Sequence, residues 1–361
     1  MAGRSCVIDA LMRMASWINV TLIDAGTRAG SWRWPAEFEP HAATAFTWPH
    51  NPSTWHRGLD APRRALVAAL RALLRFEVVH LHVMSDAQAN AARDLIGVND
   101  NLTTHVIQSN DAWCRDHGAI IVRNDAGERA VLNFGYNAWG GKYPPWDLDA
   151  QVANSMAAYL NLPVREIGTV MEGGAIDGNG QGVVMTTASC VLNPNRNPSI
   201  TKRDIDTIFS DHLGSHLIVW LAGEIPGDDT DGHIDNLARF VSPACALVVA
   251  PAATDNAWQR ELAANPARVE EQCAARGLAM EVRTLPLPMK FVARTGLPAS
   301  YANFLIANQV VLMPVYGDPA DDRACAIVAS CFPGRELIPI DCRELIVGLG
   351  ALHCLSQQIP V

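Results

Sequence analysis

Asp60-Ala-Pro-Arg-Arg-Ala-Leu-Val-Ala-Ala-Leu-Arg-Ala-Leu-Leu74, followed by Val78-Val-His-Leu-His-Val-Met84, reads as a helix feeding a strand. A capping aspartate with proline in the first turn opens the helix. Leu66, Val67, Leu70, Leu73 and Leu74 then fall on one face. The same pairing recurs outward from this stretch. Asp86–Ile96 reads as a helix and Thr103–Gln108 as a strand. Further pairs follow: Ile200–Leu213 with His216–Trp220, Trp258–Arg276 with Met280–Thr284, and Asp318–Cys331 with Glu336–Ile340. A helix–strand unit returning at an uneven spacing of roughly 60 residues predicts several related α/β units. No G-x-G-x-x-G follows the first strand, which excludes a dinucleotide site of the usual kind.

The chain has 361 residues, 49% hydrophobic and 18% charged, enough apolar mass for a large core. No charge block or low-complexity run marks a linker, so one body over residues 32–361 is expected. Residues 1–31 read as a poorly ordered extension, with Met12 and Met14 as alternative starts and no signal peptide. A net charge of −9 argues against nucleic acid and fits either a cationic ligand or plain solubility. Nine cysteines without a C-x-x-C pair suggest free thiols in a reducing, cytoplasmic compartment. No run approaches the ~20 apolar residues of a membrane span.

Four motifs lie between the amphipathic helices, at strand ends and loops, where sites usually lie. They are Trp113-Cys-Arg-Asp-His-Gly118, Glu172-Gly-Gly174, Gly232-His-Ile-Asp235 and Gly348-Leu-Gly-Ala-Leu-His-Cys354. Each alone has an ordinary explanation. Asp116 serves equally well as a partner of Arg115 or of a surface arginine, and Trp113 as core. The region after Gly232 reads as a strand, which would put His233 and Asp235 on one face. No nearby histidine or cysteine adds zinc spacing. Asp177-Gly-Asn-Gly180 is a hairpin turn. A buried inert thiol is the usual role of a cysteine, and Cys114 is the rival of Cys354. Taken together, the motifs supply three carboxylates, a histidine and a thiol. That set could hold and hydrolyse a planar guanidinium cation.

With these residues in hand, the chain resembles the agmatine deiminase family, within the Porphyromonas-type peptidylarginine deiminase group. The resemblance runs from about Trp34 to Pro360. It includes Pro35-Ala-Glu-Phe-Glu-Pro-His41, Thr47-Trp-Pro49, Phe134-Gly-Tyr-Asn-Ala-Trp-Gly-Gly-Lys-Tyr-Pro-Pro145, Asn193-Pro-Asn-Arg-Asn-Pro198, Gly227-Asp-Asp-Thr-Asp-Gly-His-Ile-Asp235, Leu297-Pro-Ala-Ser-Tyr301, Gly317-Asp-Pro319 and His353-Cys-Leu-Ser-Gln-Gln358.

The resemblance implies a pentein fold, a five-bladed pseudosymmetric α/β propeller with its site at the centre. It implies hydrolysis of agmatine to N-carbamoylputrescine and ammonia, without metal or organic cofactor, and is compatible with a homo-oligomer. Cys354 would be the nucleophile and His233 the general acid/base. Asp116 and Asp235 would hold the guanidinium, Glu172 would orient it, and Trp113 would line the pocket.

The chain departs from the family pattern at Ala119, at Leu349 and Ala351 in the nucleophile loop, and at Asp177 and Asn179. These departures bear on substrate identity. Peptidyl or free arginine is the second reading, with Arg239 a candidate partner for a substrate carboxylate. A silent guanidine-binding protein and an amidinotransferase are the others.

Overall fold

The computed structural model describes residues 32–361; the expected extension lies outside them. The opening helix, α1, spans Asp60–Leu73 and buries Leu66, Val67, Leu70 and Leu73. Each of these leucines contributes about 1.5–3 kcal/mol by leaving water. Asp60 is the first helical residue and not the cap: Leu59 holds the N-cap position, and no side chain bonds there. The aspartate acts through its charge at the positive end of the helix.

The chain lays down β1 (Trp32–Arg33), β2 (His41–Thr47), α1, β3 (Val79–Val83), α2 (Asp86–Ile96) and β4 (Leu102–Val106). Next come β5 (Ile120–Asn124), β6 (Arg129–Gly135), α3 (Val152–Leu160) and β7 (Val164–Val170). Then β8 (Ile176–Gly178), β9 (Val183–Thr187), α4 (Lys202–Leu213) and β10 (Leu217–Leu221) follow. After them stand β11 (Ala238–Ser242), β12 (Cys245–Val249), α5 (Ala257–Ala263), α6 (Asn265–Ala274) and β13 (Glu281–Leu285). The last are β14 (Leu305–Ala307), β15 (Val310–Val315), α7 (Asp321–Cys331), β16 (Glu336–Asp341) and β17 (Ser356–Pro360).

One unit repeats: an antiparallel hairpin, a helix, then a strand parallel to the hairpin's second strand. β5-β6-β7, β8-β9-β10, β11-β12-β13 and β14-β15-β16 each follow it. The fifth copy is assembled from both ends of the described chain. β17 pairs antiparallel with β2, and α1 leads from β2 to the parallel β3. The result is five separate sheets, the α/β pentein arrangement expected from the sequence. The middle strands β12 and β15 are nearly all apolar and buried on both faces, as a parallel pair covered by a helix requires.

Two sequence readings need correction. The single helix expected over Trp258–Arg276 is two, α5 and α6, with Pro266 in the first turn of the second. A proline there sets the backbone angle of a new helix and would break an old one. The strand expected from Gly232 begins only at Ala238, because Ile234–Asn236 is a tight 3₁₀ turn. Among the described residues, no helix is long and apolar enough to cross a membrane.

Candidate active site

The repeat explains why the motifs meet. Asp116 lies just before β5, Glu172 just before β8, His233 and Asp235 before β11, and Cys354 before β17. Each occupies the loop that leads into the first strand of a hairpin. The remaining such loop precedes β14 and carries Asn303, which the sequence reading passed over. Asn303 Nδ2 is 3.0 Å from Cys354 Sγ, and its Oδ1 accepts from the backbone N–H groups of His353 and Cys354 at 3.1 and 3.3 Å. The missing signal was the repeat itself: the Leu297–Tyr301 motif stands where the other units place their site residues.

Cys354 is buried. Asp235 Oδ2 lies 3.5 Å from its sulfur and 2.8 Å from His353 Nδ1. Burial, then the carboxylates of Asp235 and Asp116, push the Cys354 thiol well above its ordinary value. Burial would also raise Asp235, but the His353 hydrogen bond and nearby positive charge hold it below the usual carboxylate range. Asp235 Oδ1 has no hydrogen-bond partner among the described residues.

On the other side stand Asp116, His233 and Glu172. Asp116 accepts from Gly174 N and from Trp139 Nε1, each at 3.0 Å. Gly174 must be glycine: a Cβ there would come within 2.6 Å of both Asp116 Oδ1 and His233 Nδ1. Burial raises Asp116 to about 6, partly offset by His233 and reinforced by Asp235 and Glu172. His233 Nδ1 is 3.7 Å from Asp116 Oδ1, and its Nε2 is 3.9 Å from Glu172 Oε2. These are charge contacts, too long for hydrogen bonds. Burial works against a charge on His233, but Asp116, Cys190 and Glu172 reverse it and raise the imidazole well above its ordinary value. Its Nε2 is buried without a hydrogen-bond partner among the described residues. Arg196 Nε donates to Glu172 Oε1 at 2.9 Å and keeps that carboxylate ionised and oriented.

The five acidic, imidazole and thiol groups singled out by sequence are thus brought together. His233 caps the 3₁₀ turn and Asp235 lies within it, so the two do not project from one face of a strand. Trp113 is buried against Trp55, with ring centroids 5.4 Å apart. It underlies the nucleophile loop: a Cβ on Gly350 would come within 2.3 Å of its ring. Leu349 in that loop adopts φ 74°, a left-handed conformation that disfavours a branched side chain. Cys114 is fully buried, and its thiol is pushed up to about 12, chiefly by burial. That makes it a poor nucleophile.

Arg239 and Asp177 are scaffold. Arg239 Nε donates to Asp177 at 2.7 Å, and its terminal nitrogens donate to Glu37 at 2.5 Å and to Phe304 O at 2.7 Å. Glu37 also accepts from His353 Nε2 at 2.8 Å and Ile306 N at 2.7 Å. Arg239 is therefore committed inside the protein and is no partner for a substrate carboxylate. Glu172, Cys190 and His233 offer donor atoms within 4.8 Å of one another, the one group of this kind among the described residues that could hold a metal ion.

Known proteins resemble this chain over most of its length. The model of Porphyromonas-type peptidyl-arginine deiminases matches residues 33–360. The agmatine deiminase of Pseudomonas syringae pv. syringae is 34% identical, over 94% of this chain and 99% of its own. The solved agmatine deiminase of Enterococcus faecalis superposes with a TM-score of 0.87 at 30% identity, covering 94% of this chain and 99% of that one. A cysteine-to-serine variant of the C. jejuni agmatine deiminase, with substrate bound, gives 0.82 at 28% identity, covering 91% and 96%. The chain belongs to the Porphyromonas-type peptidyl-arginine deiminase family.

Proposed function

We infer that this family member hydrolyses agmatine to N-carbamoylputrescine and ammonia through a covalent cysteine intermediate. It is a hydrolase of C–N bonds in linear amidines. The observation that carries the reading is the meeting of Cys354, Asp235, His233, Glu172 and Asp116 in one buried site, with His233 Nε2 and Asp235 Oδ1 unpartnered among the described residues. A buried polar atom left unmatched costs about 1–3 kcal/mol; a guanidinium N–H can relieve it at Asp235 Oδ1, while His233 Nε2–H stays available to donate a proton.

In the mechanism we propose, Asp116 and Asp235 fix the plane of the guanidinium and set its carbon before Cys354 Sγ. Positioning of this kind can lower the barrier by about 7–11 kcal/mol. The free site disfavours a thiolate, because the sulfur is buried beside carboxylates. The substrate cation supplies the missing positive charge and lowers the cost of ionising the thiol, whose proton passes to solvent and is balanced by the one the ammonia takes up after release. The C–S bond forms, and His233, held as imidazolium, protonates the departing ammonia as the C–N bond breaks. The neutral imidazole then takes a proton from water, which attacks the same carbon. The C–S bond breaks, the thiol is restored and the ureido product leaves. Glu172, fixed by Arg196, orients His233 and the substrate. Asn303 positions the nucleophile.

A free arginine substrate loses the candidate partner for its carboxylate, since Arg239 is paired inside the protein. The test is ammonia release from agmatine, arginine and a short arginyl peptide in parallel, with Cys354→Ala as blank. Release from agmatine alone is expected. Cys354→Ser should abolish turnover and leave the melting transition in place; near-normal activity in that variant would overturn the assignment of the nucleophile.

A further inference from the structure

Cys190 takes no part in the reaction described above, yet it lies against the same pocket. It sits on the short helix Ala188–Val191 and is fully buried. Its Sγ is 4.0 Å from Glu172 Oε2, and His233 Nε2 is 3.9 Å from the same oxygen. His233 Nε2 is itself buried and has no hydrogen-bond partner among the described residues. Arg196 occupies the other Glu172 oxygen at 2.9 Å, which turns Oε2 toward the sulfur and the imidazole. A charged partner that orients a ligating carboxylate is a normal feature of metal sites.

Thiolate, imidazole and carboxylate together are the donor set of a borderline-soft divalent ion such as Zn²⁺ or Co²⁺. With bonds of about 2.0–2.3 Å, tetrahedral ligands stand roughly 3.3–3.8 Å apart. The three atoms lie within 4.8 Å of one another, so modest side-chain rotations would close the site. A fourth position would remain open to water.

We propose that Glu172, Cys190 and His233 form an inhibitory site for a thiophilic divalent cation. Binding makes three bonds, to Glu172 Oε2, Cys190 Sγ and His233 Nε2, and releases the protons of the thiol and the imidazolium. No electron moves. The ion takes the imidazole out of acid–base chemistry and puts positive charge where a guanidinium must enter, so metal and substrate exclude each other. The inhibition rests on the roles given above to His233 and Glu172; the binding itself does not.

The test is a Co²⁺ titration of the full chain, read by the near-ultraviolet charge-transfer band of a cobalt thiolate. Wild type and Cys354→Ser should both show a saturable band, and Cys190→Ala should lose it. Cys190→Ser, which keeps a side chain of nearly the same size, should lose the band too while retaining the wild-type melting transition. In the ammonia assay, Zn²⁺ should compete with the guanidine and be reversed by a chelator. Removing an outer-shell partner already weakens metal sites by 10–100-fold, so Cys190→Ala, measured against its own metal-free rate, should raise the inhibition constant by at least ~100-fold. A band that survives Cys190→Ala and vanishes in Cys354→Ser would move the ion to the nucleophile and overturn the proposal, as would the absence of a band in every form. A metal-free protein that releases no ammonia would overturn the functional reading and leave the cobalt result standing.

Discussion

His233 and the group His80, His82 and His105 are histidines set into the same protein, and their surroundings drive them to opposite charge states. His233 faces Asp116 and Glu172, and burial's penalty on its charge is reversed. Among the described residues, the second group has no carboxylate neighbour of that kind. His80 Nδ1 meets His105 Nε2 at 2.8 Å, His105 stacks on Tyr159 with centroids 4.0 Å apart, and His82 Nε2 lies 3.2 Å from the Tyr159 hydroxyl. Burial therefore goes unopposed. It lowers His80, takes His105 to about 4 with help from His80, and holds His82 well below the ordinary value. Desolvation is common to both regions; the placement of carboxylates decides which imidazole carries charge.

The strongest way to break the comparison is to remove a carboxylate from the scaffold behind the site. Glu37 is buried and holds Arg239, Arg115 and His353 at once. Glu37→Gln leaves buried cations without their shared counter-charge, which typically costs about 3–5 kcal/mol. Chemical denaturation should show that loss. A stability unchanged within error would mean that the charge network contributes geometry and not free energy.

Asp116→Asn cuts closer to the reaction. In the proposed mechanism the substrate cation loses one of its two carboxylates, and His233 loses the partner that contributes most to its charge. Turnover should fall by about 10²–10³, the usual effect of removing one preorganised electrostatic contact. The sign of the pH effect follows from the raised imidazole. In wild type, the stability that comes from charging His233 is fully present below about pH 6.5 and is lost as pH rises through the folded value. In the variant, the His233 ring should titrate at lower pH, as followed by NMR. An unmoved titration would show that Glu172 and Cys190 set its charge without Asp116.

The architecture was legible where elements are long and amphipathic. α1, α2 and the parallel strands β3, β4, β10, β13 and β16 could be read from periodicity within a residue or two, whereas α3 and β7 went unread. The short hairpin strands β8 and β14 were not, because three residues carry no period. Nor was the pairing of β17 with β2, which joins distant parts of the chain. The same division runs through the site. Cys354, His233, Asp235, Glu172 and Asp116 stand in motifs whose chemistry is local. Asn303, Glu37, Arg196 and Trp139 act through partners supplied by other units, so their roles emerge only once the repeat is assembled. The turn at Ile234–Asn236 was hidden because 3₁₀ geometry leaves no period in so short a piece and the buried strand β11 follows almost directly.

The smallest expected effect comes from the uncharged histidines, and it separates the two regions by pH. A group whose folded value is depressed stabilises the protein above its unfolded value and loses that contribution as pH falls. For His105 the window runs from about 6.5 in the unfolded chain to about 4 in the folded one. The ring is only half-buried, so solvent screening discounts its share to about 1–2 kcal/mol. Stability measured by denaturant at fixed temperature should therefore decline between pH 6.5 and about 4. His105→Gln keeps a polar side chain against Tyr159 but has nothing to protonate, so its decline over that interval should be shallower than that of wild type. If the two curves run parallel, the acid loss belongs to the carboxylate network around Glu37, and the neutral histidines are passengers in it.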